Sequence, residues 1–561
     1  MIIRFSGQVY NQAELQSLVR EELTGESIGD LIAALWRRFG TDCVHHFYGD
    51  YALVIEDATR GIRFLARSPF GVKPLYYRLW QGQLYTGFTL PELKKVCPAP
   101  FVPSDEWMAR YLADLSADHR RTAFEDVFKV AHSHAIAIDP AGQIKEWRFH
   151  RFVDDAPVVW TRDPRWVEAF RERLFNAIRV RMDFDHPMAS ENSGGLDSGS
   201  ITSILAQQLG ADSGSRLWSV GFASMEQEPQ HILATSRQYK LAHNYIVCGG
   251  DPKHHNDAAV LSTIRILGHP IEHSNSKTHR PFYQLCQQHG IKTLFSGFGG
   301  DEVATSHAQQ VLLEMADQRQ FGLLWRHLPQ SRRLRVKRVF AALSSGFVTQ
   351  PTNHLLHHSL MARLTFKPIR SELLEHYGLT AITAQRAVYD APYRRLNDFI
   401  LQHHLTESSN VSTRNENCSV IAAHFGVTYR WPLWDVPLVQ QYLSTPSIEK
   451  LGPNNCTRYL YRRAVDKIAP DMVTWKPTKD MGYAAQVEPQ EVQRRIENGL
   501  TLLCKLESEL HPKLRSMLDF DRVRALSATA NTPSERLNLS LSILGSGQAI
   551  RQLNLWLNDL A

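Results

Sequence analysis

The sequence predicts an α/β protein built as two units, a layered strand-rich unit followed by a parallel-sheet unit that runs on into helices. Three observations predict it. Strand-length apolar runs crowd residues 1–152. Short apolar runs then alternate with helical periodicity as far as about residue 305, and helical pattern prevails from there to residue 561.

In the front unit, residues 51–56 and 62–67 read as strands, residues 75–77 as a third, and residues 135–139 with 144–147 as a hairpin across Pro140 and Gly142. A polar, proline-bearing stretch, residues 153–164, closes it. Helical spacing starts at Trp166 and Phe170 and continues through Leu174, Ile178 and Met182. Residues 217–222 and 291–295 are bounded runs of strand length, preceded by helical segments at 200–209 and 281–289 respectively, so a parallel sheet is expected. The two units are therefore 1–152 and 165–561.

A chain of 561 residues with 43% hydrophobic residues has material for more than one core. Its net charge of +6 lacks the concentrated excess of a nucleic-acid binder. No apolar run is long enough to span a membrane, and the start lacks the zones of a secretory signal, so a cytoplasmic protein with no integral membrane association is expected. Cysteines 43, 97, 248, 286, 418, 456 and 504 show no CxxC or finger spacing, which predicts reduced, mostly buried thiols and no zinc. The pairs His254-His255, His357-His358 and His403-His404 point their rings in different directions, as packed or surface imidazoles do. The basic run from Arg332 to Arg338 has no interleaved aromatic platform and reads as a solvated face or a dock for an acidic peptide.

The chemistry concentrates in two loops. Ser193-Gly194-Gly195-Leu196-Asp197-Ser198 combines adjacent glycines, flanking hydroxyls and a following helix, which together make a cradle for phosphate. An aspartate stands where a P-loop carries lysine, and an acid beside phosphates implies a bridging magnesium ion. A surface turn rich in Gly, Ser and Asp is the plainer alternative. Ser296-Gly297-Phe298-Gly299-Gly300-Asp301-Glu302 repeats the design after a second strand. Two such loops at the carboxyl ends of parallel strands face one crevice, where Asp197 and Asp301 would share the metal of a nucleoside triphosphate.

These residues resemble the asparagine synthetase superfamily. Residues 193–198 look like its pyrophosphate loop, residues 296–302 like its SGxGxDE element, residues 66–77 (ARSPFGVKPLYY) like its amidotransferase signature and Pro432-Leu433-Trp434-Asp435 like its PFLD segment. The likeness covers nearly the whole chain apart from the last fifty residues or so. It implies a class II glutamine-amidotransferase-like αββα sandwich in front, an ATP-pyrophosphatase-type domain with a helical extension behind, and ATP-dependent adenylation of a carboxylate with Mg2+. Ser193 to Ser198 would hold pyrophosphate; the backbone at Val220 would read the adenine edge; Ser296 and Gly297 would close on the ribose. Lys479 would offset negative charge, with Lys476 as its rival.

The resemblance also implies a nucleophilic N-terminal cysteine, whereas position 2 is Ile2 and Cys43 and Cys97 lie within the chain. The front unit is thus expected to be an inactive glutaminase, and the acceptor amine to come from the substrate itself. Three residues before Asp301 the asparagine synthetases typically carry Glu and the β-lactam synthetases Tyr; this chain has Phe298. Glu416 falls where the lactam formers place a carboxylate, and it reads equally as an amine-orienting base or as a solvated helix charge. The branch most similar is the lasso-peptide cyclases, which join a core peptide's N-terminal amine to an Asp or Glu side chain and would work beside a leader-peptide-binding protein and a leader protease. A β-lactam synthetase, an ammonia-dependent asparagine synthetase and a non-enzymatic ATP-binding subunit are the alternatives.

Overall fold

The computed structural model describes residues 1–116, 118–221, 228–245, 256–272, 279–328, 336, 360–388, 393–407, 409–476 and 489–560. Phe222, Cys248, His254-His255, His357-His358, Lys479 and the basic run apart from Val336 lie outside them.

The front unit holds β1 (Ile2–Val9), β2 (Gly49–Asp57), β3 (Ile62–Arg67), β4 (Tyr76–Trp80), β5 (Gln83–Gly87), β6 (Phe128–Lys129), β7 (His134–Ile138) and β8 (Ile144–Arg148). They form an antiparallel sheet of order β1-β2-β3-β7-β8 and a smaller one of order β5-β4-β6. Both faces of the larger sheet are covered, and the period-2 alternation of its strands shows how. Tyr51, Leu53, Ile55, Phe64 and Ala66 point into a core with Leu31, Leu35 and Trp36 of the helix Ile28–Phe39. The intervening Ala52, Val54, Leu65, Ile136 and Ile138 meet Leu75, Tyr77 and Leu84 of the smaller sheet. Helices Leu90–Val96 and Asp105–Leu112 complete an αββα sandwich. Strand β3 matches its sequence-based bounds, whereas β1 and β5 were not anticipated.

Residues 149–163 carry no helix or strand. Asp163 caps the helix Pro164–Arg179 by accepting from the Arg165 amide, and Pro164 occupies its first turn. The second sheet is built from β9 (Met188–Glu191), β10 (Leu217–Gly221), β11 (Ala242–Tyr245), β12 (Thr293–Phe295) and β13 (Thr428–Arg430), in the order β11-β10-β9-β12-β13, all parallel. The chain leaves β9 toward β10 on one side and returns as β12 on the other. That makes the gap between the carboxyl ends of β9 and β12 the topological switch point. Helices follow, and the long pair Pro489–Ser508 and Pro533–Leu560 packs so closely that a Cβ on Gly499 would come within 2.4 Å of Ile543 Cγ2.

The two units share one core. Phe70, Tyr76, Leu90 and Trp107 belong to the same buried cluster as Phe170, Leu196, Leu294, Trp434 and Trp556. Polar groups join them as well. Arg181 donates to Asp435 at 2.7 Å, lies 3.6 Å from Asp50 and stacks over the Tyr10 ring, while Tyr48 donates to Asp435. Among the described residues no helix is long and apolar enough to cross a membrane.

Candidate active site

The loop after β9 folds on its own hydroxyls. The Ser193 amide donates to Ser198 Oγ at 3.0 Å, the two serine hydroxyls lie 3.0 Å apart, and the Gly194 amide donates to Asn192 Oδ1 at 3.1 Å. Gly195 is the N-cap of the helix Leu196–Leu209 and has no side chain to satisfy its first-turn amides. The amides at Leu196, Asp197 and Ser198 therefore stand at the positive end of a fourteen-residue helix. The Val220 carbonyl accepts from the Asn192 amide at 2.6 Å, tying β10, the strand expected beside the adenine, to this loop.

The second loop leans on the first. At Gly297 a Cβ would come within 2.7 Å of the Ser198 amide nitrogen and 3.0 Å of its Cα, so only glycine permits the approach. Ser296 is buried; its amide donates to the Arg430 carbonyl at 3.0 Å and its hydroxyl accepts from the Phe298 amide at 3.2 Å. Gly299 has φ +106° and turns the chain into a π-helical turn, Gly300–Ala304, a form that recurs at functional sites.

Asp197 and Asp301 meet across the gap. Arg458 Nη2 donates to Asp301 at 2.5 Å, and its Nη1 lies 3.9 Å from Asp197. Arg458 is buried, adopts left-handed backbone at φ +60°, and follows Asn454 and Asn455, which do the same. Three such residues within five positions mark a segment held against its own preference. Burial, reinforced by Asp301, pushes the neighbouring Glu302 carboxyl up to about 7.

The pair of carboxylates suits magnesium. A Cβ on Gly300 would sit 2.5 Å from Asp197 Cγ, so the turn bearing Asp301 is pressed against the other carboxylate. Among the described residues no group of three or more His, Cys, Asp or Glu side chains is gathered for a metal. Magnesium does not require one, because it is commonly held by one or two carboxylates together with substrate phosphates.

The structure corrects the reading of Glu416 as a solvated helix charge. Glu416 is buried, not solvated; Arg67 donates to one oxygen at 2.7 Å and Lys129 to the other at 3.2 Å. Burial alone would raise its pKa, but Lys129 and Arg67 outweigh that and hold the carboxyl below the usual range, which weakens it as a base. Both cations belong to the front unit, so Glu416 anchors one unit to the other. Arg414, two residues back and about 200° around the helix Ser409–His424, instead stacks on Phe298.

Lys476 is half-buried and its carbonyl accepts from Arg462 at 2.9 Å. A buried set that the sequence did not reveal lies beneath the loops. Glu191, the last residue of β9, accepts from the Tyr429 hydroxyl and lies 2.9 Å from His279 Nδ1. Burial works against its charge, and His279 with these hydrogen bonds keeps it ionised. In the front unit, Cys43 and Cys97 are buried, and burial pushes the Cys43 thiol up to about 12. Ile2 is 59% exposed. His403 and His404 pack around Phe399 at ring distances of 5.2 and 5.0 Å, as the packed-imidazole reading has it.

A glutamine-amidotransferase-type sandwich fused to a parallel sheet with two acidic glycine loops at its switch point defines the class of protein. The asparagine synthase family model matches residues 169–558, and the glutamine amidotransferase domain model matches residues 1–150. The chain belongs to the asparagine synthase family. The match reaches residue 558, so the last fifty residues, expected to stand apart, are part of it.

Among curated relatives, the chain is 30% identical to amidase chry2 of Gibberella zeae over 36% of this chain and 30% of that one. It is 28% identical to asparagine synthetase [glutamine-hydrolyzing] 1 of Bacillus subtilis, over 36% and 32% of the two chains. It is 23% identical to asparagine synthetase [glutamine-hydrolyzing] of Sandersonia aurantiaca, over 54% and 53%. The chain thus spans about a third to a half of the length of these relatives.

Proposed function

We propose that this chain is an ATP-dependent, AMP-forming amide synthetase that closes the macrolactam ring of a lasso peptide. The observation that supports it most is the convergence of Asp197 and Asp301 on one guanidinium at the switch point, beside a helix N-terminus with open amides. Residues 193–198 grip the pyrophosphate end of ATP, and Val220, Ser296 and Gly297 flank the nucleoside. Asp197 and Asp301 hold magnesium, which when bound supplies positive charge against the triphosphate. Lys479, outside the described residues, is assigned to offset charge that grows in the transition state.

An oxygen of the substrate's Asp or Glu carboxylate attacks the α-phosphorus, and the bond to pyrophosphate breaks. The N-terminal amine of the same peptide then attacks the acyl carbon, AMP leaves, and the nitrogen gives up a proton. An α-amino group with a pKa near ~8 is partly neutral at pH 7, and holding both ends in one site replaces a high concentration of external amine. Supply of ammonia by the front unit is disfavoured by the burial of Cys43 and Cys97. A leader-peptide-binding protein and a leader protease would deliver the cut precursor.

The test incubates the chain with ATP, Mg2+ and linear core peptides bearing an N-terminal Gly and one internal Asp or Glu, with the two partner proteins added in parallel. AMP and pyrophosphate should appear in step with a peptide lighter by one water. Turnover with aspartate plus ammonium, or with a small β-amino acid, and none with peptide would replace the lasso reading by an asparagine synthetase or a β-lactam synthetase.

A further inference from the structure

One residue breaks the pattern of the helix Ser409–His424. From 411 to 419 every side chain is buried except Arg414, which is half-buried. Its guanidinium carbon lies 3.8 Å from the centroid of the Phe298 ring. Among the described residues it makes no ion pair or hydrogen bond; Glu302 is within its electrostatic reach but beyond ion-pair distance.

The ring beneath it is fixed. Phe298 meets Trp434 edge-on at 5.8 Å, and the same indole lies so close under Gly299 that a Cβ there would come within 2.8 Å of Nε1. Phe298 also follows Gly297, which touches the first turn of the phosphate-loop helix, and precedes Asp301 by three positions. The guanidinium therefore stacks on a ring carried by the second acidic loop, three positions from Asp301.

Stacking occupies the face of a guanidinium and leaves its in-plane N–H donors free, in the fork that matches a carboxylate. A half-buried cation without a counter-ion is costly until a ligand supplies one. We infer that Arg414, oriented by Phe298, binds the carboxylate of the acyl substrate through a two-pronged contact. This rests on the proposed amide-synthetase reading and names the group that selects its acyl donor. Phe298, which carries no proton, serves as a platform for a cation.

The test is ATP–pyrophosphate exchange by the full chain, with KM and kcat measured separately for ATP and for the Gly-start peptide with one internal Asp or Glu. In R414M the peptide KM should rise by at least ~10-fold, the size of a lost charge-assisted contact, while the KM for ATP and kcat stay within about threefold. R414K should recover part of the loss, and F298L, which keeps the cation but removes its platform, should fall between. If R414M does not fold, R414K and F298L carry the same comparison. An unchanged peptide KM, or a parallel rise for ATP, overturns the inference. If the unaltered chain exchanges with aspartate or a small β-amino acid and not with peptide, the lasso reading fails, and the same KM split on that carboxylate decides for or against Arg414. No exchange with any carboxylate overturns both.

Discussion

Among the described residues the larger antiparallel sheet and the parallel sheet each have five strands, yet they spend their polar groups differently. The antiparallel sheet is covered on both faces, and the charged side chains around it turn toward the other unit: Arg67 and Lys129 to Glu416, Asp50 to Arg181. Its cysteine at position 43 is a core residue. At the carboxyl ends of β9 and β12 in the parallel sheet, the N-terminus of the helix Leu196–Leu209, Asp197 and Asp301 gather. On the proposed function, reactive capacity resides where backbone ends are left for a ligand, and the front unit is the frame that holds them.

The contrast breaks most visibly if the carboxylates are removed. D197A and D301A should each lower ATP–pyrophosphate exchange by about 10²–10³-fold, the loss expected for a missing preorganised electrostatic partner. Full turnover in D301A would leave the metal elsewhere. On the framing side, E416A should cost about 3–5 kcal/mol in urea unfolding, because it strands Arg67 and Lys129 in the interior. Exchange per folded molecule should survive; its loss would return Glu416 to the chemistry.

Glu416 also sets a pH dependence. Its folded pKa is depressed, so its stabilisation is complete above the unfolded carboxyl value near ~4.3 and fades as pH falls through the lower folded value. E416Q should therefore show a shallower acid-unfolding limb below about pH 4.3. At the seam between the loops, G297A should destabilise by about 1–3 kcal/mol through overlap with the Ser198 backbone, read as a lower melting temperature together with weaker ATP binding. The smallest effect is expected from I2C, with no ammonia release from glutamine above background.

Much of this was legible in the sequence, for identifiable reasons. The two acidic glycine loops announce themselves because their function needs particular residues in an unbroken run. Strand β9 did not, since Met-Ala-Ser-Glu has neither length nor alternation and becomes a strand only between β10 and β12. Arg458 was invisible because its role depends on two carboxylates more than 150 residues upstream. Glu416 was misread as a solvated charge because residue type alone does not show which side of a helix a position occupies. The signal available there was phase: Arg414 and Glu416 cannot both face the loops.

The helix Pro533–Leu560 lies across the seam, with Trp556 against Trp107 and Phe124 of the front unit and Gln552 accepting from the Ile271 amide. The front unit thus waits for a segment made far downstream of it before its outer layer is sealed. An unsatisfied apolar surface stays exposed on the nascent front unit until that helix has emerged, and that places a chaperone's attention there in the interval.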